Sequence, residues 1–327
     1  MIDALEPTTV AALAAVRAAC QVCRAVASGA IEAVTKADDS PVTIADFAAQ
    51  AVVLHALQQA GALTQLVGEE SAGELRRDAR LAQAVLAAAR VAWTDATVDD
   101  VLDAIDAGAQ RPAAAPYWTL DPIDGTKGFL RRGQYAVCLA EVEGTTAVRG
   151  VMGCPNLAPD ASIPPDVVDA GGTLFVADRH GPALQLGLDD GSVVTLPTVA
   201  GALAEPVLVT HSVESGHTRV DSVASVLASL GRPHRSMPCD SQAKYAMVAR
   251  GQAHAYLRIP TNPERVEMVW DHAAGVALAT RTGMCVTDLR GRPFDFRSPA
   301  GLRDNFGILC VHPQLHAPLL AALAAGA

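Results

Sequence analysis

WTLDPIDGTKGF, residues 118–129, is the stretch from which the rest of the chain is read. Trp118, Thr119 and Leu120 have the character of a buried strand's end. Asp121 and Asp124 follow, two carboxylates three residues apart on a turn stiffened by Pro122. Gly125 frees the backbone, and Thr126 suits the start of a helix, where unpaired N–H groups face an anion. Two carboxylates aimed at one point repel, and a hard cation relieves them. Mg²⁺ favours one or two carboxylates, several waters and a substrate phosphate. The stretch therefore suits a metal-assisted phosphate site. It equally suits an ordinary turn in which aspartate caps and glycine relieves strain. By itself DP-x-DG leaves both readings open.

The 327 residues are 50% hydrophobic and 18% charged, ample for a sizeable core in two domains or one large one. Abundant alanine and few aromatics point to many packed helices. A net charge of −10 disfavours a general nucleic-acid surface, so a phosphate-rich substrate needs cations or a few placed Lys and Arg residues. No uninterrupted run of roughly 18 apolar residues exists, and MIDALEPTTV lacks a basic region before an apolar one. A soluble, cytoplasmic protein without membrane or nucleic-acid partners is expected, as monomer or homodimer. Seven scattered cysteines do not form a disulfide framework. Cys20 and Cys23 make a lone C-x-x-C inside an alanine-rich helical pattern, which suits core packing or redox sensing better than zinc.

In chain order, Thr8 or Thr9 caps a first helix to about Ser28, and a polar stretch, Lys36 to Ser40, precedes Pro41. Val42 and Thr43 read as extended and Ile44 to Ala60 as a helix with Asp46 in its first turn, where dipole complementarity alone would explain it. Leu63–Val67 is a short strand into Gly68, Glu69, Glu70 and Ser71. Helices are expected over 80–93 and 98–106. Beyond the central loop, strands are expected over 135–142, 147–152, 173–177 and 193–196, with 153–172 as loop. A second domain begins near Ala200, giving units of 1–199 (α+β) and 200–327 (α/β). The second holds strands over 206–210, 253–259, 284–288 and 307–311. Its helices span 219–230, 241–250, 270–282 and 313–325, the first with a capping box from Thr218 and Asp221.

DPIDGT resembles the signature loop of the inositol-monophosphatase-like family of Mg²⁺-dependent, lithium-sensitive phosphatases. VTIAD (42–46), GEES (68–71) and WDHAAG (270–275) fall in that family's order. DGTKGFLRRGQYAVCLA from Asp124, DSQAKY from Asp240, and YLRIP followed by WDHAAG look like its 3'(2'),5'-bisphosphate nucleotidase branch. The likeness spans about residues 40–312. It implies a layered α-β-α-β-α sandwich and two to three Mg²⁺ ions. By the same resemblance Asp121 bridges metals, the Ile123 carbonyl is a neutral ligand, Glu69 serves the first metal, and Asp124 with Asp271 the second. Asp46 beside Thr126 orients the attacking water and takes its proton. Gly125, Thr126, His217, Ser241, Lys244 and Arg258 contact the substrate. Without the family, Asp271 reads as a helix cap, and Lys244 and Arg258 as solvated surface cations.

The resemblance implies a phosphatase that removes the 3'-phosphate of adenosine 3',5'-bisphosphate to give AMP, with 3'-phosphoadenosine 5'-phosphosulfate as second substrate. An inositol phosphatase with the same metal core is the enzymatic alternative. A silent nucleotide-binding sensor is the non-enzymatic one, against which the intact set Asp46, Glu69, Asp121, Asp124, Thr126 and Asp271 argues. One departure is Arg281–Thr282–Gly283–Met284, where the family carries E-A-G-G. Residues 72–116 match poorly and receive no role.

Overall fold

The computed structural model describes residues 1–29, 33–35, 41–109, 116–199, 202–213, 218–262 and 264–325. The first elements are α1 (Pro7–Ser28), β1 (Ala33–Thr35), β2 (Pro41–Thr43), α2 (Ile44–Gln59), β3 (Leu66–Gly68), α3 (Ala79–Ala89) and α4 (Val98–Gly108). Next come β4 (Tyr117–Asp124), α5 (Thr126–Leu130), β5 (Ala136–Glu143), β6 (Thr146–Cys154), β7 (Thr173–Ala177), β8 (Ala183–Gly187) and β9 (Val193–Thr195). The remainder is β10 (Val207–His211), α6 (Val220–Ser229), β11 (His234–Pro238), α7 (Ala243–Ala249), β12 (Ala255–Arg258), α8 (Ala273–Arg281), β13 (Cys285–Thr287), β14 (Ile308–Val311) and α9 (Pro313–Ala324).

Strands β3 to β9 form a seven-stranded sheet in sequence order. It is antiparallel apart from the parallel β3–β4 pair. The second sheet is ordered β11-β10-β12-β14-β13, with β10 parallel to both neighbours and β14 antiparallel to both of its own. Alternation along the large sheet sorts its side chains. Trp118, Leu120, Val137, Leu139 and Val151 face α1 and α2, while Tyr117, Cys138, Ala140 and Met152 face α7 and α8. Both faces are buried, so the strands read as apolar runs. The core holding α7 and α8 continues into Tyr256, Ile308 and Cys310 of the small sheet, whose outer face packs α6 and α9. The result is the layered α-β-α-β-α sandwich. Helix α8 lies hard against β6: a Cβ on Gly150 would sit 2.7 Å from the Ala274 carbonyl oxygen.

Helix α1 is long and apolar enough to cross a membrane by length and composition alone. Its Ala12, Ala15, Val16, Ala19, Cys20 and Cys23 side is buried in the core with α2 and the large sheet, which makes it a core helix here. Cys20 and Cys23 are packing residues, and burial pushes both thiols up, Cys20 to about 12. All seven cysteines are free.

Several local expectations are corrected. Helix α1 starts after Glu6, with Pro7 leading it, rather than at a threonine cap. Strands β8 and β11 were not anticipated. Strand β8 is short and lies between turn-rich segments, and β11 (HRSMP) is an edge strand whose mostly exposed residues carry no apolar signal. Thr218 does not cap α6; its hydroxyl accepts from the Ile259 N–H, and the helix has no side-chain cap. Helix α8 starts at Ala273, three residues after Trp270. The 281–284 departure keeps the helix stop, because Gly283 takes φ +81° and the Met284 N–H bonds the Ala279 carbonyl at 3.0 Å. Lys36–Ser40 lie outside the described residues.

Candidate metal and phosphate site

Strand β4 runs fully buried to Asp121, and its register with β5 slips between Asp121 and Asp124. That irregularity turns the two carboxylates out of the ladder. Gly125, at φ +86°, then reverses the chain into α5, a helix start without a side-chain cap. A Cβ there would lie 2.9 Å from Ser241 Cβ, so the loop and the DSQAKY segment touch at glycine's expense. Ser241 itself holds φ +66°. The Lys244 ammonium secures that strained turn, donating to the Cys239 carbonyl at 3.0 Å and the Ser241 carbonyl at 2.6 Å. Lys244 is therefore not the solvated lysine that the helix pattern allowed. Burial lowers its pKa, while Cys239 and the carboxylates of Asp124 and Asp240 pull it back.

The carboxylates gathered from distant segments converge. Asp121 is only 3% exposed. Burial first, and then the charges of Glu69, Asp124, Asp271 and Asp46, push its carboxyl well above the ordinary range. Burial likewise raises Asp124, opposed by Lys244 and the Gln242 N–H. Asp271 rises to about 7, driven by burial and by Asp124, Glu267 and Glu69, with His272 opposing. Each of four carboxylates is pinned through one oxygen by a backbone N–H. Asp121 accepts from Ile123 at 3.1 Å, Asp124 from Gln242 at 2.8 Å, Asp271 from Met268 at 3.4 Å and Asp46 from Thr43 at 2.8 Å. Asp271 thus bonds backward to Met268 rather than capping α8, whose N-cap is His272.

An all-oxygen set whose pKa values rise through burial first, and at Asp121 and Asp271 through neighbouring carboxylates as well, fits a hard cation of the Mg²⁺ type. Glu69, Asp121, Asp124, Asp271 and the Ile123 carbonyl are the residues that would hold it.

Asp46 is 1% exposed and forms a full capping box with Thr43, so its structural role is realised as well. Helix α5 packs beside β2, just ahead of Asp46. Asp46 and Thr126 do not bond each other directly, and the Thr126 hydroxyl donates to the Ile123 carbonyl at 3.2 Å. The short α5 leaves that carbonyl as the nearest acceptor within its own turn. His217 lies outside the described residues. Arg258, at the end of β12, is not a solvated cation either, since its Nη2 pairs with Glu267 Oε1 at 3.1 Å.

Sequence reasoning missed two buried glutamines that hold the site loops. Gln242 donates to the Trp270 carbonyl at 2.8 Å and accepts from the Gly275 N–H at 3.2 Å. Its own N–H holds Asp124, so one residue joins the central loop to the WDHAAG segment. Gln50 donates to the Glu70 and Ile105 carbonyls at 2.8 and 3.2 Å and accepts from the Glu70 N–H at 3.0 Å, fixing the turn that carries Glu69. A Cβ on Gly68 would lie 2.4 Å from Gln50 Oε1, the reason for glycine there. Within 72–116, helices α3 and α4 share a core with α2 and so brace Gln50. The available signal was a polar residue on an otherwise apolar helix face. Glu267 and His272 were also passed over, although with Asp271 they bring potential ligand atoms within 4.8 Å of one another.

Known proteins share this architecture. Residues 4–326 match the inositol monophosphatase family, to which the chain belongs. It is 34% identical over 321 residues to the 3'(2'),5'-bisphosphate nucleotidase of Emericella nidulans, covering 89% of each chain. To the 3'(2'),5'-bisphosphate nucleotidase of Oryza sativa it is 35% identical, covering 96% of this chain and 92% of the relative. Solved structures with the same fold include Thermotoga maritima IMPase (TM-score 0.62, 16% identity, 95% and 94% coverage). CysQ from Bacteroides thetaiotaomicron is similar at TM-score 0.61 and 21% identity, covering 93% of this chain and 96% of its own.

Proposed function

We propose that this chain is a Mg²⁺-dependent 3'(2'),5'-bisphosphate nucleotidase that hydrolyses the 3'-phosphate of adenosine 3',5'-bisphosphate to AMP, with 3'-phosphoadenosine 5'-phosphosulfate as second substrate. The observation that carries the reading is the buried Asp121, on whose carboxyl the charges of Glu69, Asp124 and Asp271 act, in a chain with bisphosphate nucleotidases among its relatives. Two to three Mg²⁺ ions bound there would supply Lewis acidity, lowering the pKa of water and neutralising charge on the leaving oxygen. Water adds to the phosphorus, the P–O3' bond breaks to release inorganic phosphate, and the departing 3'-oxygen takes a proton from solvent water to become the hydroxyl of AMP. Asp46, with Thr126 beside it, orients that water and accepts its proton. Ser241 and Gly125 shape the loop around the cleaved group. Lys244 and Arg258, with His217, supply the local positive charge that a protein of net charge −10 needs for a bisphosphate. Two structural units, 1–199 and 200–327, divide these tasks, since the described strands of each sheet fall on one side of that division. The seven free thiols support a reducing, cytoplasmic location.

The test is phosphate release from adenosine 3',5'-bisphosphate, 3'-AMP and an inositol monophosphate, in Mg²⁺ and in chelator. Expected are a preference for the bisphosphate, no turnover in chelator, and inhibition by Ca²⁺ and lithium. Asp124→Asn and Asp271→Asn should each abolish turnover in folded protein. Full activity in chelator refutes the metal chemistry, and a preference for the inositol ester refutes the substrate assignment.

A further inference from the structure

Arg258 and Glu267 carry an observation that reaches past the site chemistry, and the inference rests on the bisphosphate reading above. The pair is buried, with side chains 12% and 6% exposed, and its charges lie 3.1 Å apart. On its other side Glu267 Oε2 faces His272 Nε2 at 3.7 Å. His272 Nδ1 meets the Tyr245 hydroxyl at 3.1 Å, and its ring stacks on Phe294 with centroids 5.5 Å apart. His272 directly follows Asp271, so Glu267 stands between the arginine ending β12 and the segment bearing the last acidic ligand. Neither Glu267 oxygen, nor His272 Nε2, makes a hydrogen bond of good geometry.

A buried carboxylate held by ionic contacts alone is a poor way to stabilise a fold. Its desolvation rivals the Coulombic gain, and apolar residues of equal volume do as well or better. What the pair provides is direction. Guanidinium is a rigid plane with five donors in a fixed fork, so fixing one arm fixes the aim of the whole group. The polar chain Arg258–Glu267–His272–Tyr245 anchors that arm to α7 and to the start of α8.

We propose that Glu267 is a specificity-determining positioning residue, which holds the Arg258 guanidinium in the orientation that receives the second, uncleaved phosphate of the substrate.

Steady-state kinetics of the full chain with Glu267→Ala, Glu267→Gln, Arg258→Ala and the double variant test this, using adenosine 3',5'-bisphosphate and 3'-AMP at saturating Mg²⁺. Melting curves accompany each variant. Arg258→Ala should lower the bisphosphate to 3'-AMP ratio of kcat/KM by about 10- to 100-fold, the loss of a charge-assisted hydrogen bond. Glu267→Ala should lower the same ratio by about tenfold, ~1.4 kcal/mol, through KM more than kcat. The double variant should be no worse than Arg258→Ala, because Glu267 acts through the arginine. Glu267→Gln, which keeps the shape and removes the charge that holds the guanidinium, should lower the ratio nearly as far as Glu267→Ala. A fall in kcat on both substrates alike, or a raised Mg²⁺ requirement, would overturn the proposal by showing that Glu267 acts through Asp271. Should Glu267→Ala fail to fold, Glu267→Gln decides: a bisphosphate KM equal to that of the unaltered protein overturns the proposal, and a selective rise supports it. If Arg258→Ala leaves the ratio unchanged, the bisphosphate reading itself fails, a result distinct from an inert Glu267.

Discussion

Replacing Gln242 by methionine keeps the buried volume and removes both polar ends of a side chain that is 2% exposed. The Trp270 carbonyl then loses its donor at 2.8 Å and the Gly275 N–H its acceptor at 3.2 Å. With the buried Gly275 N–H unsatisfied, the fold loses about 1–3 kcal/mol. The Gln242 N–H to Asp124 is backbone and survives, so the loss falls on the WDHAAG side, where Asp271 follows Trp270 directly. Partners that orient metal ligands are typically worth 10–100-fold in metal affinity or activity. We therefore expect a lower melting temperature together with a Mg²⁺ half-saturation raised by roughly 10-fold or more. Calorimetric Mg²⁺ titration of the folded variant, below its melting range, reads the second effect apart from turnover. A variant that melts earlier yet binds Mg²⁺ as tightly as the unaltered protein would refute the reasoning, since Gln242 would then serve the fold alone.

Two further predictions concern the same loops. Asp271, raised to about 7 from its ordinary 3.8, binds more protons in the folded than in the unfolded chain between those values, so metal-free stability should fall as pH rises from about 4 to 7. Mg²⁺ requires the ionised form, so its thermal stabilisation should be larger near pH 7.5 than near pH 5, and an equal shift at both would count against the linkage. Gly125→Ala meets both a left-handed backbone and a 2.9 Å approach to Ser241 Cβ, and should lose most turnover while the global fold, read by circular dichroism, persists; full activity would remove the contact from the site.

The sequence by itself determined the chemistry-bearing loop and most of the elements. The apolar run into Asp121, the Pro122 turn and Gly125 fix the local geometry over a few residues, where backbone sterics dominate. Strands β4 to β7 were legible as short apolar runs bounded by turn residues, and the long helices by the length of their apolar, alanine-rich stretches. Edge strand β11 was not, because HRSMP buries Met237 alone and offers no alternating apolar face. Tertiary structure alone decided how the carboxylates meet. Asp46, Glu69, Asp121 and Asp271 are spread over more than two hundred residues, and only the stacking of α2, the large sheet and α8 makes their charges act on one another. It also decided which apparent surface cations are buried. Lys244 reads as a solvated helix lysine until its ammonium is found on the Cys239 and Ser241 carbonyls, and Arg258 until Glu267 is found beside it. Gln50 and Gln242 show the same limit. A buried amide earns its place through partners 20 to 55 residues away, and hydrogen bonds of that reach leave no periodic trace in the chain.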